Sequence, residues 1–297
     1  MVDLSICIVS YNTCSLLRDC LVTLRQQPPI PSMEIIVVDN GSSDGTVEML
    51  KREFPAIHLI ANPKNLGFTA PMNQALRAGT GSYLVQLNPD TLVKPGALAA
   101  IWHYLENRSN TGICTPKVLN RDGSLQKQCR RGAPLPWNTI AYFLGLPRLF
   151  PKSPFFGGYL LNYLEDDQIS EVVAVSGSCM FIRRAVVEQI GYLDEIYFAY
   201  QEDTDFCVRA RQAGWKVEYV PLGEVVHLGG HGGTQVEVYR SIRAWHTSYY
   251  LYYRKHLAKQ YIFLINWLMY AAIYLKLYLT LAATYFRQNK FAGTRKP

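Results

Sequence analysis

LSICIVSYN (residues 4–12) and EIIVVDNGSSDGT (residues 34–46) each run from a β-branched apolar stretch into polar turn residues. Continuous apolar runs of this length between turn residues are typical of strands that are buried on both faces. Amphipathic helical patterns follow them, from Ser15 to about Gln26 and from Thr46 to Phe54. Strands that alternate with helices predict a parallel sheet with helical crossovers, an α/β fold in which ligands bind at the carboxyl ends of the strands.

The alternation of strands and helices extends to about residue 120 and then decays. Further strands and helices are predicted at 57–61, 70–78, 82–87 and 95–106. Residues 132–170 hold Pro, Gly and aromatic residues without a period, which predicts an irregular insert facing the substrate. Regular patterns return at 172–183, 185–190, 203–213 and 216–220. The first 120 residues therefore have the pattern of an α/β nucleotide-binding half.

The positive charge of the chain is concentrated at its C-terminal end. The net charge is +7, but residues 1–239 carry 20 basic and 23 acidic side chains, and the other ten Lys and Arg lie in 240–297 without an acid. A body with a net charge of −3 disfavours nucleic-acid binding. With 49% hydrophobic residues the chain can bury a core, which excludes intrinsic disorder.

Seven scattered cysteines indicate a reducing compartment. Their number is odd and no C-x-x-C pair occurs, which disfavours a disulfide framework and a zinc knuckle. The sequence runs from Met1 into the first strand without a basic and apolar leader, so no secretory signal is predicted. We expect the body to lie in the cytoplasm.

A different kind of segment begins near the C-terminal end. Residues 261–286, YIFLINWLMYAAIYLKLYLTLAATYF, contain a single charge, Lys276, and are long enough to cross a bilayer. Polar and aromatic residues recur every four positions on one helical stripe, at Asn266, Tyr270, Tyr274 and Tyr278. Spanning the membrane, lying in its interface and packing on the body or a second subunit all stay open. The predicted division is a globular body over 1–239 and a membrane-associating tail over 240–297.

Polar side chains follow the first two predicted strands, at the edge where ligands bind. Ser10 and Tyr11 end the first strand, and Asp39 ends the second. A carboxylate at the end of the second strand is well placed for ribose hydroxyls or a base edge, although Asp39 also suits a turn that caps the strand. Neither G-x-G-x-x-G after the first strand nor G-x-x-x-x-G-K-[ST] occurs, so a dinucleotide site and a P-loop lose their main support.

Three further groups contain residue types suited to catalysis. Asp90, in the sequence Asn88-Pro89-Asp90, suits Mg²⁺ or Mn²⁺, which proteins hold with few carboxylates and substrate phosphates. Residues 202–205, EDTD, place three carboxylates at a predicted helix start, more than capping requires, and one of them could be a general base. His227 ends a predicted strand at 224–227, precedes LGGHGG and could bind a metal. Turn formation and helix capping are the structural alternatives for these groups.

The motifs occur in one order within residues 4–233: SIxIVSYN, VVDNGSSDGT, NLGF, LNPDT, DGSLQ, VSGSCMFIRR, EDTDFCVR and VVHLGG. This ordered set resembles the family 2 inverting glycosyltransferases with the GT-A fold, especially the bacterial rhamnosyltransferase-like branch. The resemblance implies a Rossmann-like, mostly parallel nucleotide-binding sheet over about 1–120, an acceptor-side region over about 121–239 and a hydrophobic helical tail over 240–297.

The resemblance also implies a donor site and a metal site. A nucleoside-diphosphate sugar is expected to bind at Ser10, Tyr11, Asp39, Asn65, Gly67, Asn88 and Asp90. Asn88 stands where the family's D-x-D motif has its first carboxylate, so Asn88 can only donate or accept hydrogen bonds. Asp90 and His227 would hold Mg²⁺ or Mn²⁺ against the donor diphosphate.

On the acceptor side, Asp203 matches the family's catalytic base and Glu202 a supporting acid. The base would take the proton of the acceptor hydroxyl as it attacks the anomeric carbon, and one displacement gives inversion. Further acceptor contacts are expected at Gly177, Ser178, Arg130 and Arg131. The implied function is transfer of a sugar, with rhamnose suggested by the branch, to a lipid-linked or polysaccharide acceptor. This reaction would serve cell-envelope glycan synthesis at the cytoplasmic face of the inner membrane.

Two other functions remain as alternatives. A membrane-tethered sugar-nucleotide-binding or scaffold protein without catalysis would keep the fold, but the presence of Asp90, Asp203 and His227 argues against it. An α/β oxidoreductase is disfavoured by the missing glycine fingerprint. The sequence leaves a homo-oligomer open.

Overall fold

The structure is a computed structural model that describes residues 2–28, 32–230 and 236–293, without the side chains of 288–293. Its strands are β1 (Leu4–Ser10), β2 (Met33–Asp39), β3 (His58–Ala61), β4 (Tyr83–Leu87), β5 (Thr91–Val93), β6 (Thr111–Leu119), β7 (Arg130–Arg131), β8 (Ser170–Glu171), β9 (Ala174–Val175), β10 (Cys179–Arg183) and β11 (Lys216–His227). The helices are α1 (Cys14–Arg25), α2 (Thr46–Glu53), α3 (Thr69–Ala78), α4 (Ala97–Glu106), α5 (Pro136–Phe143), α6 (Leu146–Leu149), α7 (Pro154–Gly157), α8 (Arg184–Ile190), α9 (Glu202–Gln212), α10 (Val238–Tyr252) and α11 (Phe263–Gly293).

One mixed, mostly parallel sheet forms the body, in the order β3-β2-β1-β4-β10-β6-β11-β5, with β8 beside β11. Strands β1 to β4 pair in parallel, as do β6 and β11. The predicted α/β fold is therefore confirmed, and the first four strands agree with their predicted positions to within a residue or two. All seven residues of β1 are buried, because helices cover both faces of the sheet. Helix α1 contributes Leu17, Cys20, Leu21 and Leu24, whose spacing puts them on one face.

The antiparallel strand β10 determines where the site forms. It lies between β4 and β6, and Cys179 is opposite Leu87 in the register. Because β10 runs in the reverse direction, its first residues lie at the edge where β4 ends. The amide of Asn88 accordingly donates to the carbonyl of Ser178 at 3.0 Å.

Strands β5 and β11 differ from the sequence prediction. The segments predicted as strands at 216–220 and 224–227 are joined in one strand, β11, which ends at His227 as predicted, and β5, which was not predicted, follows directly after Asp90. The two strands pair antiparallel with His227 opposite Thr91. This register brings His227 beside Asp90, although 137 positions separate the two residues in the sequence.

The insert at 132–170 contains α5, α6 and α7, which are short helices where the sequence predicted irregular structure. Several of its large apolar side chains are exposed: Trp137, Ile140, Phe143, Leu144, Leu149, Phe150 and Phe155. Short helices with Pro near their first turn and exposed apolar residues give a weak period, which explains why the sequence pattern did not predict them.

Helix α10, assigned to the tail by the sequence, packs on the body. The hydroxyl of Ser248 donates to the carbonyl of Ala199 at 2.7 Å, and Tyr249 packs in an aromatic cluster with Tyr197 and Tyr252. The body therefore continues through α10 and the turns after it, beyond the predicted boundary at 239/240.

Helix α11 follows a π-helical turn (Tyr253–Leu257) and a 3₁₀ turn (Ala258–Gln260), and it buries only one stripe. Asn266 accepts a hydrogen bond from the hydroxyl of Tyr253 at 2.8 Å, and Tyr270 packs against Tyr250 and Tyr253. The predicted polar and aromatic stripe therefore packs on α10 in its first half. Most of the helix surface is not covered by the body. Residues 263–287 are long and apolar enough to cross a membrane, and little of this segment is buried.

A buried ion cluster joins α9 to the turn after α10. The carboxylate of Asp205 is fully buried and accepts hydrogen bonds from Arg209 (2.8 Å) and His256 (2.7 Å), with the Lys255 ammonium at 2.6 Å. Burial alone would raise the pKa of Asp205, but these partners outweigh it and hold the pKa well below its ordinary value. Asp205 therefore fixes α10 and its turn against the helix that begins with Glu202 and Asp203.

We predict that Asp205→Ala lowers the free energy of unfolding by about 3–5 kcal/mol, because it leaves buried cations without their counter-charge. Urea unfolding of the detergent-purified protein at pH 7 measures this change. The matched control is Glu171→Ala, since Glu171 pairs with Arg211 near the surface and should contribute at most about 1 kcal/mol. Equal losses for the two variants would contradict the structural role of Asp205.

Candidate active site

A cavity of about 500 Å³ opens at the carboxyl edge of the sheet, between the strands and α10. Its wall includes all but three of the residues predicted from the sequence, namely Tyr11, Asn65, Gly67, Asn88, Asp90, Arg131, Gly177, Ser178, Glu202, Asp203 and His227. Ser10, Asp39 and Arg130 do not line it. Strand ends that are up to 216 positions apart in the sequence, at Tyr11 and His227, thus meet in one concave site, the arrangement typical of ligand pockets in α/β sheets.

Asp39 lies just behind one end of the cavity with an unused acceptor. Its Oδ2 accepts the Ser42 amide at 3.0 Å, while its buried Oδ1 has no hydrogen-bond partner among the described residues. A buried carboxylate oxygen without a donor is costly, so a ligand N–H or O–H would satisfy it. The hydroxyl of Ser10 shares a hydrogen bond with that of Thr13 (2.9 Å) and is buried.

Asn40 shapes the end of the cavity near Asp39, a role that the sequence did not indicate. Its Nδ2 donates to Asn65 Oδ1 (3.0 Å) and to the Gly67 carbonyl (2.6 Å), and its Oδ1 accepts the Leu66 amide (3.0 Å). The sequence suggested only turn formation for this position. Its real partners lie more than 20 residues away, where no local pattern could identify them.

Gly67 lets the loop at residues 65–67 touch the loop that precedes α9. Its φ of +91° is in the left-handed region, and a Cβ there would lie 2.4 Å from the Phe198 carbonyl oxygen. The same carbonyl accepts the Phe68 amide at 2.7 Å. A glycine is required because both the backbone angle and the close approach exclude a side chain.

The loop that carries the acids is strained. Tyr200 and Gln201 have φ values of +68° and +63°, and two consecutive non-glycine residues in this region are uncommon. The strain directs Glu202 and Asp203, at the start of α9, into the cavity. Asp203 Oδ2 accepts hydrogen bonds from Arg131 (2.6 Å) and the Gly177 amide (3.0 Å).

Glu202 occupies a different environment from its neighbour. It is buried, and its Oε2 has no hydrogen-bond partner in the described structure. Burial, followed by the negative charge of Asp203, raises the pKa of Glu202 to about 8. At neutral pH Glu202 is therefore mostly protonated, and it lies beside the ion pair of Asp203 with Arg131.

Arg130 cannot act as predicted. Its side chain is completely buried, donates to the carbonyls of Leu164 and Glu165 and to Asp166, and stacks over the Tyr219 ring at 4.7 Å. Because the guanidinium binds groups inside the protein, it is not available to an acceptor phosphate, and the prediction for Arg130 is wrong. Adjacent residues of β7 point to opposite sides, so only Arg131 reaches the cavity.

Asp90 and His227 face each other across the cavity wall. Asp90 Oδ1 lies 3.3 Å from His227 Nε2, and Asn88 Nδ2 lies 3.1 Å from the same nitrogen. Asn88 thus serves as a hydrogen-bond donor. Among the residues that the structure describes, no cluster of three or more His, Cys, Asp or Glu could hold a metal. A divalent cation would therefore take Asp90 and His227 and complete its shell with ligand oxygens or water.

A chain of amides assigns the protonation of the His227 ring. Asn120 Nδ2 donates to Ser124, which leaves its Oδ1 to accept from Gln126 Nε2 at 3.1 Å. Gln126 Oε1 then accepts from His227 Nδ1 at 2.8 Å. With the proton on Nδ1, Nε2 is an acceptor that receives the Asn88 amide at 3.1 Å and lies 3.3 Å from Asp90 Oδ1, so a cation bound to Asp90 and His227 would take the place of the Asn88 hydrogen bond. The DGSLQ motif thus positions a histidine about 100 residues away.

The rest of the wall is aromatic and comes from segments outside the predicted site. Tyr142, Phe143 and Tyr159 of the insert and Trp245 and Tyr249 of α10 line it. The sequence analysis did not identify these residues. The chain is rich in Tyr and Phe, and no local pattern distinguishes an aromatic residue that lines a cavity from one that packs in the core.

Glu237, just before α10, contacts Tyr11 and Asn65 in the cavity wall. Its Oε1 accepts from the Tyr11 hydroxyl at 2.9 Å and lies 3.4 Å from Asn65 Nδ2, while Oε2 accepts from Arg240 at 2.8 Å. The sequence prediction placed this region at the edge of the body, and no motif marked Glu237. The preceding residues 231–235, with the last part of the glycine-rich motif, lie outside the described structure.

Two family models match the chain. Residues 5–191 match Glycosyl transferase family 2, and residues 159–287 match Glycosyl transferase family group 2. The N-acetylglucosaminyl-diphospho-decaprenol L-rhamnosyltransferase of Mycobacterium tuberculosis is 29% identical over 82% of this chain and 81% of the relative. The low-salt glycan biosynthesis hexosyltransferase Agl10 of Haloferax volcanii is 27% identical over 76% of this chain and 67% of the relative. The rhamnosyltransferase WbbL of Escherichia coli is 25% identical over 54% of this chain and 58% of the relative.

Solved structures show the same fold. The mannosyltransferase PcManGT from Pyrobaculum calidifontis, solved in complex with GDP-Man and Mn²⁺, superposes with a TM-score of 0.57 at 17% identity over 85% of this chain. TarS from S. aureus gives 0.53 at 16% identity over 83% of this chain. The chain spans 63% and 65% of these two proteins, so it is shorter than either.

We predict that the free energy of unfolding falls as pH rises from about 4.5 to about 8, through the ionisation of Glu202. The folded-state pKa of about 8 exceeds the ordinary value of 4.5, so the folded protein keeps a proton that the unfolded chain releases. One such group gives a slope of up to about −1.4 kcal/mol per pH unit.

Urea unfolding at several pH values, compared with Glu202→Gln, isolates this contribution because the amide cannot ionise. The exposed Glu188→Gln is the control and should keep the wild-type slope. A Glu202→Gln variant with the wild-type slope would contradict the assignment.

Proposed function

This chain belongs to glycosyl transferase family 2 and is a glycosyltransferase, and on that premise we propose that it transfers a sugar, rhamnose by its branch, with inversion from a nucleoside-diphosphate donor to a lipid-linked acceptor. One observation carries the proposal: Asp203 and the facing pair of Asp90 and His227 line the same cavity. A general base and a place for the departing diphosphate are what a single displacement requires.

We assign the donor nucleoside to the end of the cavity near Asp39. The unused buried Oδ1 of Asp39 would accept from a base N–H or a ribose hydroxyl, and Tyr11 and Asn65 line the adjacent wall. Asn40 holds the Asn65–Gly67 loop in place for this purpose. The donor end is thus preformed, which reduces the entropy lost on binding.

Asp203 is proposed as the base. Arg131 and the Gly177 amide hold its Oδ2, so the carboxylate has one fixed orientation. The acceptor hydroxyl gives its proton to this carboxylate as its oxygen bonds to the anomeric carbon, and the bond to the diphosphate breaks on the opposite face. Protonated Glu202 keeps a second negative charge away from Asp203 at neutral pH.

Asp90 and His227 are proposed to hold Mg²⁺ or Mn²⁺. The facing acceptors of these residues, with the Nδ1 proton fixed by Gln126, fit a divalent cation that also takes phosphate oxygens. When bound, the cation neutralises charge on the departing diphosphate. The cation would displace the hydrogen bond that Asn88 Nδ2 makes to His227 Nε2 at 3.1 Å.

The acceptor is proposed to come from a membrane in cell-envelope glycan synthesis. Helix α11 offers a 25-residue apolar segment that is mostly unburied, and the Mycobacterium tuberculosis relative is named for a decaprenol-linked acceptor. The body would lie on the cytoplasmic side, where its seven free thiols remain reduced. An acceptor at the membrane surface then requires the cavity to open toward α11.

We predict that Asp203→Asn lowers kcat for transfer by about 10²–10⁴-fold, because the amide cannot accept the proton. Binding of the matching nucleoside diphosphate, measured by calorimetry with Mn²⁺ present, should stay within about twofold, which also shows that the variant folds. The exposed Asp19→Asn is the control and should leave kcat unchanged. Full turnover by Asp203→Asn would exclude this residue as the base.

We predict that Gln126→Leu weakens Mn²⁺ binding by about 10–100-fold, because the ring of His227 loses the acceptor that fixes its tautomer. Gln126→Glu keeps an acceptor and should bind Mn²⁺ at least as well as the wild type. Electron paramagnetic resonance of Mn²⁺, titrated with nucleoside diphosphate present, measures both affinities. Unchanged affinity in Gln126→Leu would remove His227 from the metal site.

A further inference from the structure

The only charge within residues 263–286 faces the protein. The ammonium of Lys276 lies 3.9 Å from the centre of the Trp245 ring and 4.0 Å from that of Phe143. Both rings also line the cavity. Lys276 therefore sits where the apolar helix α11 meets the aromatic wall of the site.

The ammonium of Lys276 has no anionic partner among the described residues. No carboxylate of the described chain lies within ion-pair distance of it, and no described acceptor takes a hydrogen bond from it. The two aromatic faces attract the cation, but they leave its three N–H donors unused. A half-buried ammonium in this state is suited to an anion that arrives with a ligand.

The other cations of the cavity are already paired. Arg131 binds Asp203 at 2.6 Å, and Arg240 binds Glu237 at 2.8 Å. Lys276, which contacts the cavity wall through Trp245 and Phe143, has no such anionic partner among the described residues. It also lies at the end of the site that faces the apolar helix, whereas Glu237 contacts the donor residues Tyr11 and Asn65.

The attachment of α11 to the body does not explain why position 276 is a lysine. The helix is already attached by the buried side chains of Met269 and Ile273 and by hydrogen bonds of Asn266. These contacts lie one to three turns before Lys276. An apolar residue in its place would pack on the same two rings without the cost of a charge in an apolar helix.

Exposed apolar surface flanks the contact on both elements. Leu144 directly follows Phe143 in the insert and is exposed, and Leu275 and Leu279 are exposed on α11. Because Lys276 contacts Phe143, these two exposed surfaces adjoin each other beside the aromatic wall of the cavity. A lipid chain can lie on this surface while its polar head enters the cavity.

We propose that Lys276, seated on Trp245 and Phe143, binds the phosphate group of a lipid-linked acceptor as it enters the cavity. The inference rests on the proposed function, which supplies a lipid-linked acceptor, and it adds the residue that recognises the phosphate. The ammonium donates to phosphate oxygens, and the rings keep it directed at the site entrance.

The test compares two farnesyl acceptors that carry N-acetylglucosamine, one through a diphosphate and one through a simple glycosidic bond. With the full chain in detergent, Lys276→Gln should raise KM for the diphosphate acceptor about tenfold or more and leave KM for the phosphate-free acceptor and kcat unchanged. Lys276→Arg keeps a positive charge, so it should retain most of the difference in KM between the diphosphate acceptor and the phosphate-free acceptor. Lys259→Gln, which removes an exposed charge from the turn before α11, should behave as wild type.

An equal rise in KM for both acceptors in Lys276→Gln would show that Lys276 has a purely structural role and would overturn the proposal. If the wild type transfers sugar to neither acceptor, the proposed function fails for these acceptors, and binding decides the site. Calorimetry with farnesyl diphosphate and farnesol should then show that farnesyl diphosphate binds more tightly and that Lys276→Gln removes the difference. Equal binding of farnesyl diphosphate to wild type and variant would overturn the proposal.

Discussion

The reversal of strand β10 is the constraint on which the site depends. An entirely parallel sheet would place the residues before β10 at the edge opposite the ends of β1, β2 and β4. Because β10 runs antiparallel between β4 and β6, Gly177 and Ser178 lie beside Asn88 at the ligand edge. The Gly177 amide can then hold Asp203, so the donor half and the acid-bearing helix share one cavity.

The acids of this cavity are held in place from the side away from the sheet. Asp205 fixes α9 to the turn after α10 through buried ion pairs, and Ser248 binds the strained loop at Ala199. Strain at Tyr200 and Gln201 can persist only because the surroundings over-determine it. Helix α10, with α11 packed on it, therefore supports the site in addition to any contact that the tail makes with a membrane.

Two adjacent carboxylates acquire different properties from their surroundings alone. Asp203 lies among N–H donors and an arginine, whereas one buried oxygen of Glu202 has no hydrogen-bond partner in the described part of the chain. The motif EDTD shows that acids are present, but desolvation and the neighbouring charge decide which one keeps its proton. The same holds for Arg130 and Arg131, which look alike in the sequence and differ in the structure because a strand alternates its faces.

The sequence by itself determined the strands and helices of the first 120 residues and most of the residues that line the cavity, because apolar periodicity and turn residues are local signals. Tertiary structure alone decided the pairing of β5 with β11, the hydrogen bonds of Asn40 and Gln126, and the placement of Lys276 on two rings. These contacts join segments from about 25 to more than 130 residues apart. Partners and burial at such separations follow from how the whole chain packs, and no local pattern encodes them.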